Sequence, residues 1–197
     1  MKVLVFSNLY PNNVMPHHGV FVKQRMHAFA RAEEHQMKVV APVPYFPPIK
    51  SNWRWKYRQV AHRREDEGIE VFHPRFCMTP KVGMSLYGVF LVLSVLPTIL
   101  RIRRTFEFEL IDAHYVYPDG MAAVLLGKLL GVPVLVSARG SDINQFVHLK
   151  GIRPLLRWTL QHAQRVIAVC QALKDEMAGL GIERERMTVG AGASEWV

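Results

Sequence analysis

The sequence predicts an α/β domain built on a Rossmann-like, doubly wound and mostly parallel sheet. Short β-branched runs alternate with helix-length segments along the whole chain, which is the pattern of parallel strands joined by crossover helices. The run from Val132 to Ser137 is too apolar to have a wet face and reads as a strand covered on both sides. Polar clusters follow two such runs directly, His114 after Leu110–Ala113 and Arg139 to Asp142 after Ser137. In an open parallel sheet that edge is where ligands bind.

Taken in order, the first strand is Lys2 to Ser7, and a loop rich in Pro, Asn and His leads to a helix near Val20 to Ala32. The second strand is Met37 to Ala41. A proline-rich turn from Pro42 to Pro48 and a basic, aromatic loop precede a third strand at Ile69 to Phe72. The uncharged segment Val82 to Leu100 lies between Lys81 and the cluster Arg101, Arg103 and Arg104. It is long enough to span a bilayer, but Gly83, Ser85, Gly88, Ser94 and Pro97 dilute it, and the strands on either side must share one sheet. A buried or membrane-skimming helix is therefore expected. After the strand Leu110 to Ala113 and a Pro118, Asp119, Gly120 turn comes a helix from Met121 to Leu130, stopped by Gly131. The strand at Val132 to Ser137 is followed by a helix at Pro154 to Ala163 and a buried strand at Arg165 to Cys170. An amphipathic helix, Ala172 to Leu180, is closed by Gly181, and Met187 to Val189 begins one more strand.

With 25 Lys and Arg against 16 Asp and Glu, the chain carries a formal charge of +9 and should be drawn to anionic partners. Trp53, Trp55 and Tyr57 interleave with Arg54, Lys56, Arg58, Arg63 and Arg64, a pattern that nucleic-acid binders use. Amphipathic side chains snorkelling on a surface loop give the same pattern, so nucleic acid is not an expected partner and an anionic membrane surface is. Cys77 and Cys170 lack metal-ligand neighbours and read as reduced, buried thiols of a cytosolic protein. No secretory signal is expected, since Lys2 runs directly into the first strand without a cleavage site of small residues. Asn12, Asn13, His17 and His18 have no Cys or carboxylate at ligand spacing, so no metal is expected.

His114 could hydrogen-bond a sugar or acceptor hydroxyl when neutral, or steady a leaving diphosphate when protonated; a strand-end histidine satisfied by backbone is the structural alternative. Gly19 would let the backbone approach a ligand ahead of a helix N-terminus suited to phosphate, or serve only as a turn. Arg139 offers a planar fork for phosphate or carboxylate, beside Gly140. Asp142 could accept from sugar hydroxyls or cap the following turn. His18, Asp119 and Asn144 are weaker candidates, since Asp before Gly is common turn chemistry. The chain has neither a GxGxxG nor a P-loop lysine motif.

These segments, FSNLYPNNVMPHHGVFVKQRMHAFA, DAHYVYPDGMAA, SARGSDIN and RVIAVCQALKDEM, resemble in order and spacing the N-terminal domain of family 4 glycosyltransferases of GT-B architecture, over nearly all of residues 1–190. The resemblance implies one half of a two-domain enzyme, with residues 191–197 standing where a C-terminal donor domain would begin and the N-terminal half mostly holding the acceptor. It implies a nucleotide sugar, UDP- or GDP-linked, as donor, no bound cofactor, and retention of anomeric configuration. The acceptor would be lipid-linked or a polysaccharide, and the site cytoplasmic, at the inner membrane face. In relatives a histidine often stands where His114 does, and also where this chain has Arg139. Two rival readings are a GT-B nucleotide-sugar epimerase and a non-catalytic sugar- or phosphate-binding module.

Overall fold

A computed structural model of the chain describes residues 1–32, 35–45, 53–77 and 83–190. The far end of the proline-rich turn, Lys81 and Val82, and the tail 191–197 lie outside the described residues. The elements run β1 (Lys2–Phe6), α1 (Val20–Ala32), β2 (Gln36–Val40), β3 (Val43–Tyr45), a 3₁₀ helix (Trp53–Gln59), β4 (Arg63–Asp66), β5 (Ile69–Phe72) and β6 (Arg75–Cys77). A 3₁₀ turn (Met84–Leu86) then leads into α2 (Tyr87–Arg103), followed by β7 (Leu110–His114), a wide turn (Val116–Gly120), α3 (Met121–Leu130) and β8 (Val134–Ala138). The chain continues through α4 (Ser141–Asn144), α5 (Arg153–His162), β9 (Arg165–Ala168), α6 (Gln171–Gly179) and β10 (Met187–Val189).

Eight strands form one sheet in the order β10-β9-β8-β7-β1-β2-β5-β4. Every pairing in it is parallel except β4 with β5. The period-2 alternation of β1 sends Leu4 and Phe6 into one core and Val3 and Val5 into the other, which is why its sequence is apolar without interruption. The first core lies under α2, α3, α5 and α6; the second lies under α1. The expected parallel α/β sheet and its strand sequence are thus present.

Three strands, β3, β4 and β6, were not legible in the sequence. β4 is an antiparallel edge strand reading RRED, whose charges are taken up locally. Asp66 receives Lys23 Nζ at 2.7 Å and Arg64 at 3.1 Å, and Glu67 receives Lys23 and Arg31, both at 3.1 Å. The hairpin is thereby pinned to α1. β3 and β6 form a separate two-stranded parallel sheet of three residues each, too short for a periodic signal. The cysteines differ from expectation in their burial: both are free thiols, and both are exposed. Cys77 ends the small sheet and Cys170 precedes α6, positions at element ends that the core does not cover.

Candidate functional site

The chain leaves β1 toward β2 on one side, while β7, β8, β9 and β10 are laid down successively on the other. The crevice outside the carboxyl ends of β1 and β7 is therefore the topological switch point, the place where open α/β sheets hold ligands. Here the end of β1 is tied to the end of β7. Ser7 Oγ donates to the His114 carbonyl at 3.2 Å and accepts from the Leu9 amide at 3.1 Å, while the Asn8 amide donates to Asp119 Oδ2 at 2.8 Å. Asp119 is fully enclosed. Burial, reinforced by the charge of Asp142 and opposed by the Asn8 amide, pushes its carboxyl up to about 8.

Asp142 braces the neighbouring loop. Its Oδ2 accepts from the Val116 amide at 2.7 Å and its Oδ1 from the Arg139 amide at 2.9 Å. Burial raises its pKa, and the amides of Val116, Arg139, Gly140 and Asp142 itself act against that rise. Because both oxygens act as acceptors, Asp142→Asn turns one of these backbone amides toward an NH₂ group. It is expected to lose about 2 kcal/mol in thermal unfolding, the cost of one unpaired buried donor; an unchanged Tm would show that these bonds do not hold the loop.

His114 ends β7 rather than following it, and its side chain is fully buried. Arg139 donates to its Nδ1 at 2.8 Å, which places the ring proton on Nε2, 3.6 Å from Asp112 Oδ2. Burial, with the charges of Arg139 and Arg25, holds the imidazole well below its usual range and so neutral. The Arg139 guanidinium stacks 5.0 Å from the centroid of the half-exposed Phe21 ring. Burial and the like charge of Arg25 push its pKa down to about 10, against the pull of Asp112 and Asp142. Arg25 reaches Ser137 Oγ at 3.3 Å. The order Asp112, His114, Arg139, Phe21 thus runs from the buried sheet outward, with His114 positioning the guanidinium.

Beside this relay lies a cleft of about 290 Å³, lined among others by Asn8, Asn12, His18, Tyr57 and Tyr115. Tyr115 has φ +89°, a conformation that costs a non-glycine residue of order 1–3 kcal/mol and that concentrates at functional sites. It is held there by Ser137 O accepting from its amide at 2.9 Å and by the Gly120 amide donating to its carbonyl at 2.8 Å. Its hydroxyl lies 3.2 Å from Ser141 Oγ, so this cleft-lining residue links the ends of β7 and β8. Burial lowers the pKa of His18, leaving a neutral imidazole in the wall.

The structure brings His18, His114, Asp119, Arg139, Gly140 and Asp142 to one sheet edge. A Cβ on Gly140, at φ +99°, would meet open space, so the backbone there faces a void. Gly19 differs from the expected ligand approach: a Cβ on it would sit 2.3 Å from the backbone of Leu9, so its close contact is with its own loop. Asn144, with its amide nitrogen donating to Glu176 Oε2 at 2.7 Å and Gly140 O at 3.3 Å, ties α4 to α6. Arg25, Asp112, Tyr115 and Ser141 complete the site and were not singled out from the sequence. Asp112 carried a signal, a carboxylate inside a buried apolar strand that requires a partner. Among the described residues no three His, Cys, Asp or Glu side chains are grouped to hold a metal ion.

A mostly parallel sheet with a polar cleft at its switch point, of Rossmann type, is the class of domain that makes up one half of a GT-B enzyme. The chain belongs to the Glycosyl transferase 4-like domain family, whose profile matches residues 19–191. It is 26% identical over 96% of its length to TuaC of Bacillus subtilis (strain 168), assigned as a glycosyltransferase of teichuronic acid biosynthesis, and covers 50% of that protein. Among solved structures, sucrose-phosphate synthase from Thermosynechococcus elongatus matches 95% of the chain at TM-score 0.65 and 10% identity, with 47% of the synthase covered. UDP-GlcNAc 2-epimerase from Neisseria meningitidis, bound to UDP-GlcNAc, matches 96% at TM-score 0.53 and 14% identity, with 46% covered. These two likenesses concern the fold. The chain spans about half the length of the relatives it matches.

Proposed function

We propose that this chain is the acceptor-side half of a retaining glycosyltransferase that moves a hexose from a UDP- or GDP-sugar to a lipid-linked or polysaccharide acceptor, on the cytoplasmic side of a membrane. The observation that carries the reading is the switch-point cleft itself. Amide, hydroxyl and neutral imidazole groups of Asn8, Tyr115 and His18 line its wall or mouth, and the Arg139 cation lies at the adjoining strand end. Such groups suit sugar hydroxyls and an anionic acceptor or leaving group. Asp142 accepts backbone amides through both oxygens and Asp119 is fully enclosed, so neither is placed to deprotonate an acceptor. An oxygen of the departing diphosphate would take that proton, in keeping with retention.

In this reading an acceptor anion draws Arg139 away from His114 and Phe21, and the neutral imidazole is uncovered toward the reacting sugar. The donor is held mainly by a second domain. The epimerase alternative shares the fold, but the family match favours transfer. The test is sugar transfer by this domain together with its donor half, wild type against Arg139→Ala. Loss of a correctly placed cation is expected to lower kcat/KM roughly a hundredfold, with His114→Ala falling at least as far. Unchanged transfer by both variants would remove this cleft from the reaction.

A further inference from the structure

α2 is apolar on both of its sides. Tyr87, Gly88, Leu91, Val95, Ile99 and Ile102 are buried against the sheet, and the opposite side carries Leu86, Val89, Leu93 and Leu100 with 50%, 40%, 65% and 43% of their surface exposed. At about 100° per residue, these four and Pro97 fall within an arc of roughly 120°, a continuous stripe about 20 Å long. Arg101 and Arg104 continue the same arc, both exposed. A helix with apolar residues all round is normally enclosed. This one is long and apolar enough to cross a bilayer, yet only 33% of its apolar window is buried. It cannot cross one while folded as seen, because β5 before it and β7 after it belong to the same sheet.

We infer that α2 lies in the surface of an anionic lipid bilayer, its leucine stripe in the headgroup–acyl boundary and Arg101 and Arg104 against lipid phosphates. Charge complementarity selects this occupant: a chain of net charge +9 presents arginines at the end of the apolar stripe, the combination by which interfacial helices hold anionic membranes. The placement also fits the cleft. The Tyr117 hydroxyl, in the turn after β7, donates to the Met84 carbonyl, and a Cβ on Gly88 would meet the Met121 side chain. The stripe therefore starts beside the carboxyl edge of the sheet, and a bilayer beneath it brings lipid-borne substrates to the mouth of the site. The inference gives the proposed acceptor its location, but lipid binding is read without sugar transfer, so the two fail separately.

The test is co-sedimentation of the chain with phosphatidylcholine vesicles and with vesicles containing phosphatidylglycerol, at low and high salt. Binding is expected to the anionic vesicles and to weaken with salt. Leu93→Asp is expected to reduce it at least tenfold, and Arg101→Gln with Arg104→Gln on the order of thirtyfold. All these side chains are exposed, so circular dichroism should be unchanged. Leu93→Trp supplies an independent readout, since its fluorescence should shift to the blue with anionic vesicles. Absence of binding, binding indifferent to these substitutions, or a Trp emission that vesicles leave unmoved would overturn the inference. So would a stable dimer in sedimentation equilibrium that Leu93→Asp dissociates, which would make a second copy the occupant.

Discussion

Replacing Gly19 by alanine is expected to cost about 3 kcal/mol and roughly 10 °C in Tm. Gly19 has φ +69°, and a Cβ there would lie 2.3 Å from the carbonyl carbon and oxygen of Leu9 and 2.9 Å from the Tyr10 nitrogen. None of these is the movable end of a side chain. Loop or helix must shift, and the left-handed conformation adds its own penalty for an L residue. The loop is otherwise well determined: Asn12 Oδ1 accepts from the Val14 and Met15 amides at 3.0 and 2.9 Å, and Asn13 holds the Ala61 amide at 2.9 Å. Because Asn8, Asn12 and His18 line the cleft from this loop, the substitution should disturb the cleft along with stability. Urea unfolding with an unchanged midpoint would show that the loop does not close on itself as described.

The second large effect is a pH dependence set by Asp119. Its folded pKa, about 8, lies above the unfolded value of 3.8. Between those limits the native state keeps a proton that the unfolded chain releases, so this group's stabilisation is complete below about pH 4 and is lost as pH rises toward 8. The slope is about 1.4 kcal/mol per pH unit. Asp119→Asn keeps an oxygen for the Asn8 amide and has no proton to lose. Relative to wild type, it should therefore gain about 4 kcal/mol in stability between pH 5 and pH 8. Denaturant unfolding at the two pH values reads this directly, and parallel wild-type and mutant profiles would contradict it.

Asp119 also shows where sequence reading stops. Before Gly120 it has the look of a turn residue, and its burial arises from the Asn8 amide on a strand end 111 residues away in the chain. Nothing local encodes that contact. The strands were legible where both faces are covered, as in β1 and β8, because burial on two sides demands continuous apolar residues. β4 was not, since it is a charged edge strand whose residues pair with Lys23 of α1, with Glu70 of β5 and with one another, contacts that leave no apolar period in the sequence. His114 and Arg139 were placed at one edge by the crossover rule, and their partnership was not. That depends on register: His114 is paired with Ser137, which brings Arg139, two residues on, to the same face. Tyr115 had no signal, because a positive φ at a tyrosine is imposed by the fold around it.

Whether the chain is half of a sugar transferase is tested by calorimetric titration of it with UDP- and GDP-sugars, alone and beside the separately made C-terminal half of TuaC, with sugar transfer followed in the same mixtures. Weak or no nucleotide-sugar binding by the chain alone is expected, and binding with transfer once the C-terminal half is present, with transfer lost in Arg139→Ala. Tight binding of a nucleotide sugar by the chain alone, with no transfer in either mixture, would contradict the transferase reading and make the domain a sugar-nucleotide-binding module.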